Sequence, residues 1–430
     1  MSMLGRILLV LFVPWYQYVV AEQIDYVLKP RDSKITIGFK DALRRSLKEH
    51  ESIKQAQQKT IIAKGEYFKT FSHLLPGLTA KASHDVMAKD DKARISLGLT
   101  LPLFDAKNIF MARAQREGIS VARENFERDQ ENLIYDVAQA YVAALIAFAH
   151  KEVAQEEYGL YQRQVSNLQR LAALNNVRAS ILHKVSYQME KSFVEYRRKE
   201  LVYQQKLGAL GAKIKVDEEF LLEPVEVSLG NLTDNEEELM RLVHNSPDIM
   251  ALKRERNVSS FMMLAERLSF LPKLNASMES GVLLPKPAPI RLGDDVSMRA
   301  FINLELPLFS GGETIASIKT TSAQHTVNEL ALSQKLREKG LVLNSLRRQI
   351  KEGEEVKAAA DRAFLSASLA QESAERIFKA GEATDSGREL IEAIGNYVQA
   401  KNLKIESMYN LEDARVRLLL ATGTIQKLLE

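Results

Sequence analysis

Residues 94–103 read RISLGLTLPL, and residues 297–306 read SMRAFINLEL. In the first stretch Ile95, Leu97, Leu99, Leu101 and Leu103 take every second position, with Arg94, Ser96, Gly98 and Thr100 between them. In the second, Met298, Ala300, Ile302, Leu304 and Leu306 alternate with Ser297, Arg299, Asn303 and Glu305 apart from Phe301. A period of two places the two sets on opposite faces of a strand. Over about ten residues it is the pattern of a strand that crosses a bilayer, apolar to lipid and polar to a lumen. A half-buried hairpin of a soluble protein has the same period, so the pattern alone leaves both readings open. Shorter stretches upstream agree. Leu78, Ala80 and Ala82 alternate with Thr79, Lys81 and Ser83, and Leu274, Ala276 and Met278 alternate with Asn275, Ser277 and Glu279.

Each long stretch runs into the phrase Leu-Pro-Leu-Phe, at Leu101–Phe104 and again at Leu306–Phe309. Proline has no N–H to give to a sheet, so Pro102 and Pro307 are expected to end strand pairing where the chain turns into a helix. Phe104 and Phe309 then fall at a membrane–water boundary. The repeated phrase belongs to a longer self-similarity. Leu43 matches Leu239, Ile53 matches Ile249 and Pro76 matches Pro272, all at an offset of 196, while Arg170 matches Arg376 and Ser180 matches Ser386 at 206. The jump falls in the Pro- and Gly-containing segment 283–295, which reads as a longer loop. The chain is therefore read as a duplicated module. The first repeat spans 35–215 with a β-hairpin at 77–104. A connector covers 216–233. The second repeat spans 234–425 with a hairpin at 273–309.

Each repeat is expected to open with one amphipathic helix, 39–72 and 235–270. After the hairpin comes a helical run of about 70 residues, roughly 100 Å long. Such a helix must lie along partners in a coiled coil or bundle. Breaks are expected near Asn175-Asn176 and at 381–387. A shorter helix returns from each, the first ending near Gly208–Gly211 and the second near Gly423, where glycine commonly stops a helix. Alanine-rich stretches such as VAQAYVAALIAFAHKEVAQ let neighbouring helices approach closely, in a tube wall or a plain coiled-coil rod.

The 430 residues carry a net charge of only +3 and no block of basic and aromatic residues, so nucleic acid is not an expected partner. With no cysteine there is no disulfide, cysteine metal site or cysteine nucleophile. Arg6, the apolar run Ile7–Val13 and Val19-Val20-Ala21 read as a cleavable export signal over 1–21. No later stretch is expected to form a transmembrane helix. No phosphate-binding loop, G-x-S-x-G or H-E-x-x-H occurs; His50-Glu51 lacks a second histidine. The seven histidines are scattered, and most of the twelve methionines sit at helical apolar positions and read as packing. No enzyme activity, cofactor or metal site is expected. Four strands cannot close a barrel, and open edges are not tolerated in lipid, so a membrane reading requires several chains to share one barrel.

The duplication, the Leu-Pro-Leu-Phe joint followed in the second copy by Gly311-Gly312, the segment RIFKAGEATDSGRELIEAIGNYVQAK (residues 376–401) and the closing LLLATGTI together resemble the TolC-type outer-membrane efflux protein family. The resemblance covers about residues 35–425. It implies a mainly α protein with a membrane β-barrel portion: a homotrimer in which each protomer gives four strands to one barrel and its long helices to a periplasmic tunnel. It also implies a location in the Gram-negative outer membrane, a periplasmic adaptor (membrane fusion) protein as partner, and an inner-membrane RND or ABC pump as the source of energy. The chain would be a passive exit duct for efflux or type I secretion. By the same resemblance Glu389 and Glu392 take the acidic positions that narrow the tunnel mouth; the matching positions of the first copy are His183 and Ser186. The turn from Gly381 to Glu389 is about two residues longer than the family pattern. Leu174, Val177, Ala179 and Ser180, with Ala380, Gly381, Ala383 and Thr384, form the tip expected to meet the adaptor. The competing reading is a soluble periplasmic coiled-coil scaffold with two exposed hairpins.

Overall fold

A computed structural model describes residues 35–84, 92–173, 179–217, 220–223, 235–285, 297–380 and 386–429. The expected export signal and most of the expected connector lie outside these residues. The first half runs β1 (Ile35–Ile37), α1 (Phe39–Glu49), α2 (Glu51–Ser72), β2 (Gly77–His84), β3 (Lys92–Phe104), α3 (Ala106–Ala173) and α4 (Ala179–Ile214). Strand β4 (Phe220–Leu222) follows. The second half runs α5 (Glu236–His244), α6 (Pro247–Arg267), β5 (Lys273–Pro285), β6 (Ser297–Glu305), α7 (Glu313–Ala380) and α8 (Ser386–Thr422). The two longest helices, α3 and α7, have 68 residues each, about 100 Å at 1.5 Å per residue.

The opening helix of each half is two helices. His50 has extended backbone (ψ 134°), and its Nδ1 accepts the N–H of Ser52, so it caps α2 in the place serine or aspartate usually takes. In the second half the break is at Asn245-Ser246-Pro247, where proline occupies the first turn of α6. Helix α4 runs through Gly208 and Gly211 to Ile214, beyond the expected stop. Helix α8 stops where expected. Gly423 takes φ +70°, its N–H donates to the carbonyl of Leu420, and that of Thr424 to Leu419. This pairing closes the helix and suits glycine alone, since a Cβ there would also meet Ser246 at 2.9 Å.

Four strands form one antiparallel sheet in the order β2-β3-β5-β6. The central pair, β3 with β5, joins the two halves over eleven directly opposed residue pairs from Lys92↔Pro285 to Pro102↔Asn275. The two expected hairpins are therefore joined into one sheet. A second, parallel pair, β1 with β4, lies at the other end of α1, with Ile35↔Phe220 and Ile37↔Leu222 in register. Part of the expected connector is thus a strand.

The largest core surrounds this small sheet. Ile37, Phe39, Leu43, Ile134, Val137, Tyr141, Leu210, Ile214, Phe220, Leu419 and Ile425 are buried together. Tyr141, fully buried, packs edge-on against Phe39 at 5.3 Å. Its hydroxyl lies 3.1 Å from the Ile37 carbonyl and 2.9 Å from that of Glu223, bridging β1 and the end of β4. Helix α3 contains a window long and apolar enough to span a bilayer, but half of it is buried within the chain. Its apolarity is that of a core helix packed on α1, α2, α4, α6 and α8.

Candidate channel-forming surfaces

The register of the sheet extends the alternation of single strands into one surface. Leu78, Leu99, Met278 and Ala300 stand side by side across all four strands, as do Ala80, Leu97, Ser280 and Met298. Leu101, Ala276 and Ile302 form a third row. Little in the chain covers this face: Leu78, Leu97, Met298, Ile302 and Leu304 are all more than half exposed. The opposite face carries Thr79, Lys81, Ser96, Thr100, Asn275, Ser277, Glu279 and Arg299. An apolar sheet face without a partner must be covered by something outside the chain.

Pro102 does not end the strand. It pairs opposite Asn275, and β3 continues to Phe104 with a shift of register between the two. The missing N–H is absorbed as a local irregularity. The shift has a consequence for Phe104. By strict alternation residue 104 belongs with the polar set; after the shift it stands opposite Leu274, in the apolar row with Leu304. In the second half β6 stops at Glu305, before Pro307, and Leu308 and Phe309 are each 87% exposed. The two joints start their helices differently. The Asn108 N–H donates to Asp105 Oδ1 at 3.0 Å. At the other joint Gly311 and Gly312, at φ +65° and +89°, turn the chain, and the Thr314 N–H donates to Ser310 Oγ.

Below the sheet the helices form a layer one helix thick. Near the strands the neighbours run α2, α3, α6, α7; toward the far end they run α4, α3, α8, α7. Lys107–Glu266 (2.9 Å) and Arg254–Glu117 (3.3 Å) tie α3 to α6. Farther down, Gln139 donates to Asp413, His150 bonds Asn402 (2.8 Å), and Glu156 accepts from Tyr397 (2.9 Å) and Lys401. These tie α3 to α8. Burial opposes the Lys401 charge, but its bond to Glu156 prevails and holds the ammonium pKa above the ordinary lysine value. Where α3, α6 and α7 meet, Glu131 is only 4% exposed. Burial pushes its carboxyl up to about 7, Lys339 opposing and Asp248 and Glu127 adding to the shift. Lys339 itself bonds Asp248 (2.9 Å) and the Ala421 carbonyl (3.1 Å).

The helices at the two ends of this layer carry exposed apolar side chains. On one side stand Ile61, Ile62 and Phe68 of α2, then Tyr187, Val194 and Leu201 of α4, the last three spaced by seven. On the other side all come from α7: Ile315, Val327, Leu330, Leu341, Val356, Leu365, Leu369 and Ile377. The sheet repeats this asymmetry, with β2 at one open edge and β6 at the other.

At the far end Leu160, Leu168, Val185, Phe378, Leu390 and Ile394 make a core shared by all four helices. Gly387 is needed for the approach of α8 to α4, since a Cβ there would lie 2.8 Å from Ile181 Cγ2. Because Leu390, Ala393 and Ile394 turn inward, Glu389 and Glu392 are exposed on the other side of the first turns of α8. Among the described residues neither carboxylate has an ion-pair or hydrogen-bond partner. Ala179 and Ser180 are exposed at the start of α4, and Ala380 ends α7. Leu174, Val177, Gly381, Ala383 and Thr384 lie outside the described residues. Sequence reasoning missed the β3–β5 junction, the α3–α8 contacts and the buried Glu131. Each joins residues about 120 to 275 positions apart, and no local pattern marks them.

No protein-family model matches the chain. The alkaline protease secretion protein AprF of Pseudomonas aeruginosa is 24% identical over 263 residues, 59% of this chain and 53% of that protein. The aligned region thus spans about half the length of that curated relative. Among solved structures, CusC, described in terms of transmembrane channel formation, matches with a TM-score of 0.80 at 15% identity over 94% of this chain and 96% of that one. The CmeC outer-membrane channel of Campylobacter jejuni matches at 0.78, with 17% identity over 93% and 90%. The outer-membrane protein VceC of Vibrio cholerae matches at 0.76, with 14% identity over 90% and 96%. With its four-stranded sheet set on two 68-residue helices, each packed with shorter partners, the chain has the fold of these outer-membrane channel proteins.

Proposed function

We propose that the chain is one protomer of a homotrimeric outer-membrane exit duct, serving a tripartite efflux pump or a type I secretion system. The carrying observation is the common handedness of its open surfaces. At three levels, elements of the first half (β2, α2, α4) leave one flank bare and elements of the second half (β6, α7) leave the other bare. Two different apolar surfaces on opposite flanks suit a head-to-tail contact, and such contacts close into a ring when the rotation between successive copies closes. Three copies make a twelve-stranded barrel with no edge, as lipid requires, above a ring of twelve helices. The apolar sheet face then meets lipid, and the polar face lines the lumen. Glu389 and Glu392 form acidic rings at the periplasmic mouth. The turns around residues 174–180 and 380–384 contact a periplasmic adaptor, and an inner-membrane RND or ABC pump supplies the energy. The likeness of AprF, a secretion protein, and of CmeC, an outer-membrane channel, supports this reading.

The test is location and assembly. The protein is expected in outer-membrane fractions, migrating as a trimer on unboiled gels and as a monomer after boiling. Replacing Val194 and Leu201 together with Glu is expected to abolish the trimer, because it charges the bare flank of α4. Recovery of the parent protein as a soluble periplasmic monomer would refute the proposal.

A further inference from the structure

We propose that the barrel lumen carries a cationic collar centred on Lys81, which favours anionic solutes in the outer part of the duct. The inference rests on the channel reading above and adds a selectivity element to it. Among residues whose side chains are described, the register assigns five charged ones to the polar face: Lys81, Lys273 and Arg299, against Glu279 and Glu305. Both acids stand directly opposite a base, Glu279↔Arg299 and Glu305↔Lys273. Opposite charges facing each other across strands neutralise one another locally. The remaining one, Lys81, is a cation of the first hairpin.

Lys81 is exposed, and its row across the sheet is Ser96, Gly281 and Ser297, with no acid in it. Among the described residues it has no ion-pair partner. The small side chains beside it leave the lumen open at that level. Lys81 lies four residues beyond Gly77, the start of β2, hence about 13 Å up the strand from the helices. A twelve-stranded barrel with strands ~4.8 Å apart and tilted by ~40° has a radius of roughly 12 Å. A lysine reaching about 6 Å inward brings each of three ammonium groups to roughly 6 Å from the axis, inside the ~8 Å Debye length at physiological salt. The three fields therefore overlap across the whole opening, and they do so at the opposite end of the molecule from Glu389 and Glu392.

The experiment uses full-length trimers in planar bilayers, with inorganic tripolyphosphate as a blocker added to one side at a time. Tripolyphosphate is expected to block from the barrel side at lower concentration than from the helical side. Lys81→Gln is expected to weaken barrel-side block by about fivefold or more, and Lys81→Glu to shift the reversal potential in a KCl gradient toward cation preference. Arg299→Gln, which leaves Glu279 unopposed, is expected to shift it in the same direction. Equal block from both sides of the parent channel, or Lys81 variants that conduct with unchanged block and reversal potential, would overturn the collar alone. A parent protein that forms no conducting pore would overturn the channel reading itself.

Discussion

Arginine placed at residue 99 or at residue 100 separates the two faces of the sheet by one position. Leu99 stands five residues before Phe104, and β3 rises about 3.3 Å per residue. With a strand tilt of ~40°, that is about 13 Å along the membrane normal. The apolar band of a transmembrane barrel is about 25 Å tall, so with Phe104 at its inner boundary Leu99 lies near the midplane. An arginine there costs about 2–4 kcal/mol, roughly 30- to 900-fold in the folding equilibrium of each chain. Three copies per barrel multiply the effect. Thr100 is on the polar face, opposite Ser277 and Gly77. Thr100→Arg therefore meets no lipid and is expected to cost little. Leu103→Arg, beside the boundary, is expected to cost about 0–1 kcal/mol. The assay is urea-dependent folding into large unilamellar vesicles, followed by heat-modifiable gel migration. The expected order of destabilisation is Leu99→Arg, then Leu103→Arg, then Thr100→Arg. Equal effects at 99 and 100, or a neutral Leu99→Arg, would refute the assignment of the apolar face to lipid.

Replacing Glu389 and Glu392 by Gln is expected to leave the trimer intact and to lower cation preference and block by multivalent cations in bilayer recordings; unchanged selectivity would remove them from the pore. For Glu131 the folded-state value of about 7 lies above the ordinary 4.5. Its contribution to stability is therefore full below about 4.5 and is lost as pH rises through 7. Glu131→Gln should flatten the dependence of urea resistance between pH 5 and 8 and raise stability at pH 8 by about 1–3 kcal/mol; a parallel pH profile in the variant would contradict this. Tyr141→Phe removes the hydroxyl between the Ile37 and Glu223 carbonyls and should cost about 1–3 kcal/mol, read as a lower urea midpoint with unchanged helical signal.

The faces of the strands, the 68-residue helices and the stop at Gly423 could be read directly, because each follows from geometry within a few residues. Side chains alternate along any strand, and glycine alone reaches φ +70° without strain. The break at His50 was hidden because no Gly or Pro marks it; a histidine ring supplies the cap. Pro102 misled for the opposite reason: the residue type forbids one hydrogen bond, but the neighbouring strand accommodates the loss by a shift that carries Phe104 onto the apolar face. Of the mouth, the chain's likeness to a family supplied Glu389 and Glu392, and packing supplied their exposure, since Leu390 and Ile394 take the buried side of the same turns. Nothing in the order of residues says that β3 pairs with β5 instead of leaving two hairpins apart, or that α4 and α7 end up on opposite flanks. Those depend on which distant segments bury surface against each other, a sum over many weak contacts that local periodicity does not contain. That sum also places Glu131 in a junction of three helices and leaves Lys81 without an acid across the sheet.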